Sequence, residues 1–366
     1  MLYELANFEG FFGPLRLFRY LSFRCGFALA LSFIVAMVIA PPIIRYLRKF
    51  KYEGTQRTEE DLGILAKLHA DKRNTPQMGG IIVYIAVMSG VLLFARPTFL
   101  VFVALFVYTV LTVLGFADDY KKLVRKSPDG ISGKTKLAVQ IAVSLAALCM
   151  LYFSEEYGGI MRELWVPFLK SPLIAAMPFW FMFVFFFFVI GGSSNALNLT
   201  DGADGLAIGC TITTALAYGI FSYVSGNTIA AEYLFLRYVP QCGELTVICC
   251  ALLGASLAFL WYNAHPADIF MGDTGSLALG GLIGVIAIMT LQPITLVIIG
   301  GVSVMEAMSV ILQVGSYKIR KKRIFRRSPI HHHFEEGGWA ETRIIVRFWI
   351  ISLICALAGL ATLKLR

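Results

Sequence analysis

The sequence predicts an all-α, polytopic integral membrane protein. Of its 366 residues, 58% are hydrophobic and only 15% are charged, and the mean hydropathy is +0.73. A soluble domain of this composition would expose a large apolar surface to water. The apolar runs are long and continuous rather than alternating, and they therefore favour membrane-spanning helices over a β-barrel.

Ten apolar runs follow one another along the chain, and each has close to the ~20 residues that a helix needs to cross a bilayer. Their approximate limits are 25–44, 79–95, 99–117, 137–153, 173–190, 206–224, 245–262, 276–291, 294–316 and 344–363. An even number of crossings puts both termini on the same side of the membrane.

Polar clusters follow the first, third, fifth, seventh and ninth run, so all five are predicted to lie on one membrane face. They cover residues 72–80, 118–136, 198–205, 263–276 and 320–336. A charged site on one side of a membrane indicates catalysis or transport. We expect a single transmembrane catalytic domain over residues 1–366, with loops on this face at about 45–78, 118–136, 191–205, 263–275 and 317–343.

Basic side chains identify this face as cytoplasmic. The loops after the first, third and ninth run hold 22 lysines and arginines, whereas nine lie on the opposite side with both termini. Because positively charged loops stay in the cytoplasm, both termini are predicted to be periplasmic. The net charge of +9 mostly reflects this bias, and nothing in the chain resembles a nucleic-acid-binding domain.

The adjacent carboxylates of Asp118 and Asp119 stand where the third run ends. Neighbouring side chains on a helix project roughly 100° apart, so the two can do different jobs. One could hold a cation while the other accepts a proton. The alternative is that both are solvated residues at the membrane interface.

Asp273 stands between two glycines near the start of the eighth run. Mg²⁺ prefers oxygen ligands and usually takes one or two protein carboxylates together with substrate phosphate, which suits this position. The alternative is a helix N-cap that holds the free N–H groups of the next helix.

Asn198, Asp201 and Asp204 recur at intervals of three residues among glycines. In a helix this spacing brings the side chains onto one face, and the glycines let the backbone approach a ligand. A tight Asp-Gly turn is the alternative, but one turn does not need all three polar residues. The pattern favours a binding site.

Three consecutive histidines, His331, His332 and His333, follow a basic run in the last cytoplasmic loop. Zinc is disfavoured because consecutive side chains diverge and no second His or Cys cluster completes a tetrahedral set. Binding of phosphate or substrate fits these residues better.

Lysines in the first two cytoplasmic loops, Lys72, Lys126 and Lys134, suit the charge of phosphate groups. A single lysine of this kind is more often only a determinant of topology. Glu306 is the one acidic residue expected inside the membrane, and it should face the protein interior or a partner because an unpaired charge there is costly.

These motifs resemble the polyprenyl-phosphate sugar-1-phosphate transferase superfamily, and most closely its branch of bacterial phospho-N-acetylmuramoyl-pentapeptide transferases. The resemblance covers essentially the whole chain. The triple histidine and the string from Asn198 to Gly202 are quite specific to this branch, whereas the Asp-Asp pair is shared across the superfamily. The segments that carry it are Thr75-Pro76, Met78-Gly79-Gly80, Asp118-Asp119-Tyr120, Asn198-Leu199-Thr200-Asp201-Gly202, Met271-Gly272-Asp273, Pro329-Ile330-His331-His332-His333 and Val346-Arg347-Phe348-Trp349.

The resemblance implies transfer of phospho-N-acetylmuramoyl-pentapeptide from its UDP carrier to undecaprenyl phosphate, which forms lipid I and releases UMP. It also implies a site on the cytoplasmic face of the bacterial inner membrane, a requirement for Mg²⁺, and a homodimer of ten-helix subunits. Because the lipid phosphate is itself a nucleophile, we expect direct transfer, although a route through an aspartyl-phosphosugar intermediate stays open.

By motif, the resemblance makes Asp273 the Mg²⁺ ligand and Asp118 the group that deprotonates or orients the lipid phosphate, with Asp119 in support. It assigns to the phosphate and sugar region Lys72, Lys126, Lys134, Asn198, Asp201, His331, His332 and His333. It assigns to the uridine region Asp204, Asn263 and Phe270.

Two positions depart from the branch pattern. Ala203 replaces the usual Leu and could reshape the nucleotide pocket, and Gln77 replaces the usual Thr in the first cytoplasmic loop.

Two other functions stay open. A sister enzyme would transfer N-acetylhexosamine-1-phosphate, and an anion transporter would carry polar residues through its spans near the midplane of the membrane.

Overall fold

The computed structural model describes residues 2–52, 75–125 and 129–365. Eight of the helices in these ranges are long and apolar enough to cross a membrane, and a shorter apolar helix covers Gly80–Phe94. Extended pairing in the described ranges is limited to one antiparallel bridge between Leu164 and Ile174. The predicted all-α, polytopic membrane fold is confirmed.

Thirteen α-helices form the described chain. Short 3-10 helices at Leu2–Phe8 and Gly13–Arg19 precede them, and another at Ile160–Arg162 follows α4. The α-helices are α1 (Leu21–Tyr52), α2 (Gly80–Phe94), α3 (Phe99–Arg125), α4 (Gly133–Tyr152), α5 (Phe179–Thr200), α6 (Leu206–Ser225), α7 (Thr228–Tyr233), α8 (Glu244–Asn263), α9 (Gly272–Met289), α10 (Thr295–Ile299), α11 (Gly301–Arg320), α12 (Ile330–Glu336) and α13 (Glu341–Ala361).

Several boundaries differ from the sequence prediction: α1 continues to Tyr52 and α3 to Arg125, beyond the predicted ends at 44 and 117. The run 294–316 is divided at Gly300 into α10 and α11, a break that hydropathy does not reveal because both sides of it are apolar. Helix α5 continues to Thr200, so much of the predicted loop 191–205 is helical. Its polar residues remain in the helix because backbone carbonyl groups of α9 accept hydrogen bonds from their hydroxyl groups. Ser193 Oγ donates to Gly280 O at 2.7 Å, and Ser194 Oγ donates to Leu277 O at 2.8 Å.

Helix α9 is the central helix of the bundle. It packs against α2, α3, α5 and α6, and 89% of its residues are buried. A helix that is apolar on every face is expected in such a position. Its N-terminus begins with Gly272 and Asp273, so the best-packed helix carries one of the predicted site residues.

A buried ion pair joins α1 to α8 near the start of both helices. Arg24 donates from Nη1 to Oε2 and from Nη2 to Oε1 of Glu244, each at 2.6 Å. The Arg96 N–H also donates to Glu244 Oε2 at 2.9 Å, and the Arg96 guanidinium lies 4.0 Å from the ring centre of Tyr3. Because both charges are hydrogen-bonded, their burial is compensated.

Candidate active site

Asp119 caps the N-terminus of α9. Its Oδ2 accepts hydrogen bonds from the Thr274 N–H at 2.9 Å and the Thr274 hydroxyl at 2.6 Å, and its Oδ1 accepts one from the Asp273 N–H at 3.3 Å. Gly272, with a φ of +73°, turns the chain into the helix beside this carboxylate. Asp119 therefore satisfies two of the free N–H groups of α9, and the N-cap interpretation of Asp273 is wrong.

Asp118 and Asp273 share two lysines. Lys122 Nζ lies 2.6 Å from Asp118 Oδ2 and 3.3 Å from Asp273 Oδ2. Lys136 Nζ, which α4 contributes, lies 3.0 Å and 2.6 Å from the same two oxygens. Asp118 is fully buried, and its Oδ1 also accepts a hydrogen bond from the Ile131 N–H at 2.6 Å. These contacts compensate the cost of burying its charge.

The three carboxylates converge on one another. One oxygen from each of Asp118, Asp119 and Asp273 lies within 4.8 Å of the other two. Carboxylate oxygens are the hard ligands that Mg²⁺ prefers. The two ammonium groups already drawn to the cluster indicate that its potential is negative, and the three carboxylates outnumber them. The residues therefore fit a divalent cation.

Asn198 and Asp201 lie beside this cluster at the end of α5. Asn198 Nδ2 donates to Asp273 Oδ1 at 2.9 Å and to Ser276 Oγ at 2.8 Å. Burial raises the pKa of the Asp201 carboxyl well above its usual range, and the nearby charges of Asp273 and Asp119 raise it further, although a hydrogen bond from the backbone of Gly272 opposes the shift. The Asp201 carboxyl is therefore hard to ionise without added positive charge.

Asp204 and Asn263 join the third polar cluster to the fourth. Asn263 Nδ2 donates to Ile269 O at 2.8 Å, and its Oδ1 accepts from the Gly205 N–H at 3.1 Å. Asp204 Oδ2 lies 3.0 Å from His265 Nδ1. The side chains of Asp204 and Asn263 are both buried. Each therefore shapes the loops around it and also borders the cavity described next.

A cavity of about 460 Å³ opens beside the carboxylates. Eight of the residues selected from the sequence line it, together with Ala203 and Gln77, the two positions that depart from the branch pattern. The lining consists of Gln77, Asp119, Lys122, Asn198, Asp201, Gly202, Ala203, Asp204, Asn263, Phe270, Gly272, Asp273, Arg327 and His332. The mixture of carboxylates, amides and cations suits a polar, phosphorylated ligand.

The three histidines have different surroundings. His332 lines the cavity, and its Nδ1 lies 2.7 Å from Glu335 Oε2. His333 Nδ1 accepts a hydrogen bond from the Arg326 N–H at 3.1 Å. His331 is fully buried, and its Nδ1 lies 3.2 Å from Glu306 Oε1. The structure therefore does not bring all three side chains to one ligand.

The lysine of α4 that contacts the carboxylates is Lys136, which the sequence prediction did not include, and the role predicted for Lys134 in the phosphate and sugar region stays a prediction. Lys134 is exposed in the first turn of that helix, whereas Lys136 contacts Asp118 and Asp273. Lys122 was also missed, although its position four residues after Asp118 on a helix was an available signal. Lys72 and Lys126 lie outside the described residues.

Comparison with known proteins identifies the family of the chain. The model of glycosyl transferase family 4 matches residues 100–291, which is more than half of the chain. The chain is 50% identical to the phospho-N-acetylmuramoyl-pentapeptide-transferase of Opitutus terrae and 46% identical to that of Methylacidiphilum infernorum, over 100% of each chain in both cases. It is 45% identical to that of Koribacter versatilis, over 100% of this chain and 99% of the relative.

The chain belongs to the phospho-N-acetylmuramoyl-pentapeptide transferase family. The region matched by the glycosyl transferase model begins in α3 and ends after α9, so it contains the three carboxylates, both lysines that contact them, and Asn198. The histidine triplet lies beyond this region, and the full-length similarity to members of the family extends across it.

Proposed function

We propose that the protein transfers phospho-N-acetylmuramoyl-pentapeptide from UDP-N-acetylmuramoyl-pentapeptide to undecaprenyl phosphate, forming lipid I and releasing UMP in peptidoglycan synthesis. The single observation that carries the proposal is the cluster of three carboxylates and two lysines that opens into the polar cavity. Family membership, over the full length of the chain, supports the same reaction.

The transfer is a displacement at phosphorus. An oxygen of the lipid phosphate forms a bond to the β-phosphorus of the nucleotide sugar, and the bond from that phosphorus to the oxygen shared with the α-phosphate breaks. The electron pair leaves with UMP. No covalent enzyme intermediate is required, because the attacking group is already an anion and the protein mainly has to align the reactants and stabilise charge.

Asp273 is the residue that would hold Mg²⁺, with the Asp118 carboxylate beside it. When bound, the ion would offset the negative charge of the diphosphate and of the transition state. Asp119 keeps Asp273 in place, because it fixes the first turn of the helix that carries that residue. Asp118 is proposed to orient or deprotonate the lipid phosphate.

Cations around the cavity would bind the phosphates. Lys122 and Lys136 already contact the carboxylates, and their flexible side chains can turn toward an incoming diphosphate while the metal replaces them. Arg327 and His332 line another part of the cavity wall and would contact the sugar and peptide portion. Lys134, which the branch pattern assigns to the same region, is proposed to have a minor role because it is exposed.

Phe270, Asp204 and Asn263 are proposed to form the uridine pocket. All three border the cavity. The amide of Asn263 already contacts Ile269 and Gly205, so its contribution would be to shape the pocket. Ala203, where the branch usually has Leu, would leave this pocket wider by most of one side chain.

The distribution of basic residues supports a location in the bacterial cytoplasmic membrane with the site on the cytoplasmic face. A homodimer is proposed from family resemblance, and the mass of the protein in detergent, measured by light scattering, tests it. The contact of Glu306 with His331 argues against the transporter alternative, because it pairs the one acidic residue expected inside the membrane with the histidine segment.

The first experiment measures UMP release by the purified protein with undecaprenyl phosphate, Mg²⁺ and UDP-N-acetylmuramoyl-pentapeptide. Wild-type protein should release UMP only when the lipid is present, and Asp273→Asn should abolish the release. Asp268→Asn is the matched control, because that carboxylate lies nearby in the chain but is exposed and pairs with Arg48. A folded wild-type protein that is active only with UDP-N-acetylglucosamine would identify the sister enzyme instead.

A further inference from the structure

Glu306 and His331 form a pair that is almost completely shielded from solvent. Each residue has 0% of its surface exposed. The ring nitrogen Nδ1 of His331 lies 3.2 Å from Glu306 Oε1. The backbone N–H of His331 donates a hydrogen bond to Glu306 Oε2 at 3.4 Å. Burying a carboxylate is costly unless a partner compensates its charge. The pair joins α11, within the bundle, to the first turn of α12.

The other side of the imidazole faces the loop that borders the cavity. Both ring nitrogens of His331 are buried and make no hydrogen bond within the described residues, so Nδ1 meets Glu306 as a close charged neighbour and Nε2 has no polar partner. It lies so close to Gly202 that a Cβ added there would come within 2.4 Å of it. Gly202 stands between Asp201 and Asp204, and all three line the cavity. The imidazole therefore fills the space between α11 and this loop.

We propose that Glu306 is a positioning residue that acts through His331 on the loop at residues 201–205 and so controls binding of the nucleotide-sugar substrate. A carboxylate beside Nδ1 favours the tautomer with its proton on that nitrogen, which fixes the orientation of the ring. The Nε2 edge of the ring is then held against Gly202. The proposal rests on the proposed function, since the ligand of the loop is taken to be a nucleoside diphosphate sugar.

Separate KM values for the two substrates test the role of Glu306. Glu306→Gln keeps the size of the side chain and removes its charge, so the preference for a proton on Nδ1 is weakened and the amide can hold the ring in either orientation. We expect the KM for UDP-N-acetylmuramoyl-pentapeptide to rise by about tenfold, because substrate binding then has to order the loop. The KM for undecaprenyl phosphate should not change. Glu306→Gln with both KM values unchanged, or with only a lower fraction of folded protein, would overturn the proposal.

A double-mutant cycle tests the contact with Gly202. Gly202→Ala should raise the same KM, because the new methyl group collides with the imidazole. In a His331→Ala background the space is open, so Gly202→Ala should have little further effect. Gly192→Ala is the matched control, because a Cβ at that position meets nothing within 4 Å. Additive effects of Gly202→Ala and His331→Ala would contradict the proposed contact.

Thermal unfolding measures the coupling between Gly202 and His331 without any assay of activity. The four proteins are the wild type, Gly202→Ala, His331→Ala and the double mutant. The melting temperature should fall for Gly202→Ala in the wild-type background and much less in the His331→Ala background. A wild-type protein that releases no UMP would therefore refute the proposed function, whereas loss of the coupling in both measurements would refute the role of Glu306 and His331.

Discussion

Lys136 offers the sharpest test of the active-site geometry. Its ammonium group contacts Asp118 Oδ2 at 3.0 Å and Asp273 Oδ2 at 2.6 Å, and Lys136→Gln removes both ion pairs while keeping a polar side chain of similar reach. A hydrogen bond to a charged group contributes about 1.5–3 kcal/mol. With Mg²⁺ and substrate bound, the proposed contact of Lys136 is with the diphosphate, so the substitution removes a charged hydrogen bond there, and we expect a net cost of about 2–3 kcal/mol in transition-state stabilisation.

That cost corresponds to a decrease of about 30- to 150-fold in kcat/KM at 25 °C. The assay is lipid-dependent release of UMP at saturating Mg²⁺, with the melting temperature as a check on folding. Lys134→Gln is the control, since this lysine is two residues away on the same helix and exposed. The reasoning is refuted if Lys136→Gln keeps activity within about threefold of wild type, or if Lys134→Gln loses as much.

Three further predictions concern stability, pH and metal. Arg24→Met leaves Glu244 buried without its main partner, and we expect a loss of about 3–5 kcal/mol in the free energy of unfolding, with unchanged activity per folded molecule. Because the folded-state pKa of Asp201 is raised, its ionisation costs stability as the pH rises above the unfolded-state value of about 4. Asp201→Asn should therefore raise the melting temperature more at pH 7.5 than at pH 4.5. Chelation with EDTA should stop UMP release, and added Mg²⁺ should restore it in the wild type but not in Asp273→Asn.

The class of fold follows from the sequence because it depends on composition and on the length of apolar runs. Helix ends were harder to predict. Hydropathy placed the end of α5 at the first polar residues, but Ser193 and Ser194 stay in the helix because they donate to carbonyl groups of α9. The break at Gly300 was missed because the residues on both sides of it are apolar.

The candidate site was predictable at the level of clusters but not of contacts. Spacing along a helix predicted that Asp118 and Asp119 point in different directions, and the structure has one beside two lysines and the other on a helix end. Spacing could not choose between Lys134 and Lys136, whose directions differ by roughly 160° around the helix axis. That choice depends on how α4 is rotated against its neighbours, which no local pattern contains.

The burial of α9 has a consequence for inhibitors of this site. Because Asp273 is mounted on the best-packed helix, and Asp119 fixes that helix at its first turn, the carboxylate has little freedom to move away from a bound molecule. A compound that binds Asp273 therefore meets a rigid receptor and loses little affinity to induced fit. Substitutions that weaken such a compound are expected to arise instead in the loop at residues 201–205 or around Arg327, where side chains can change without disturbing the helix that carries the reactive centre.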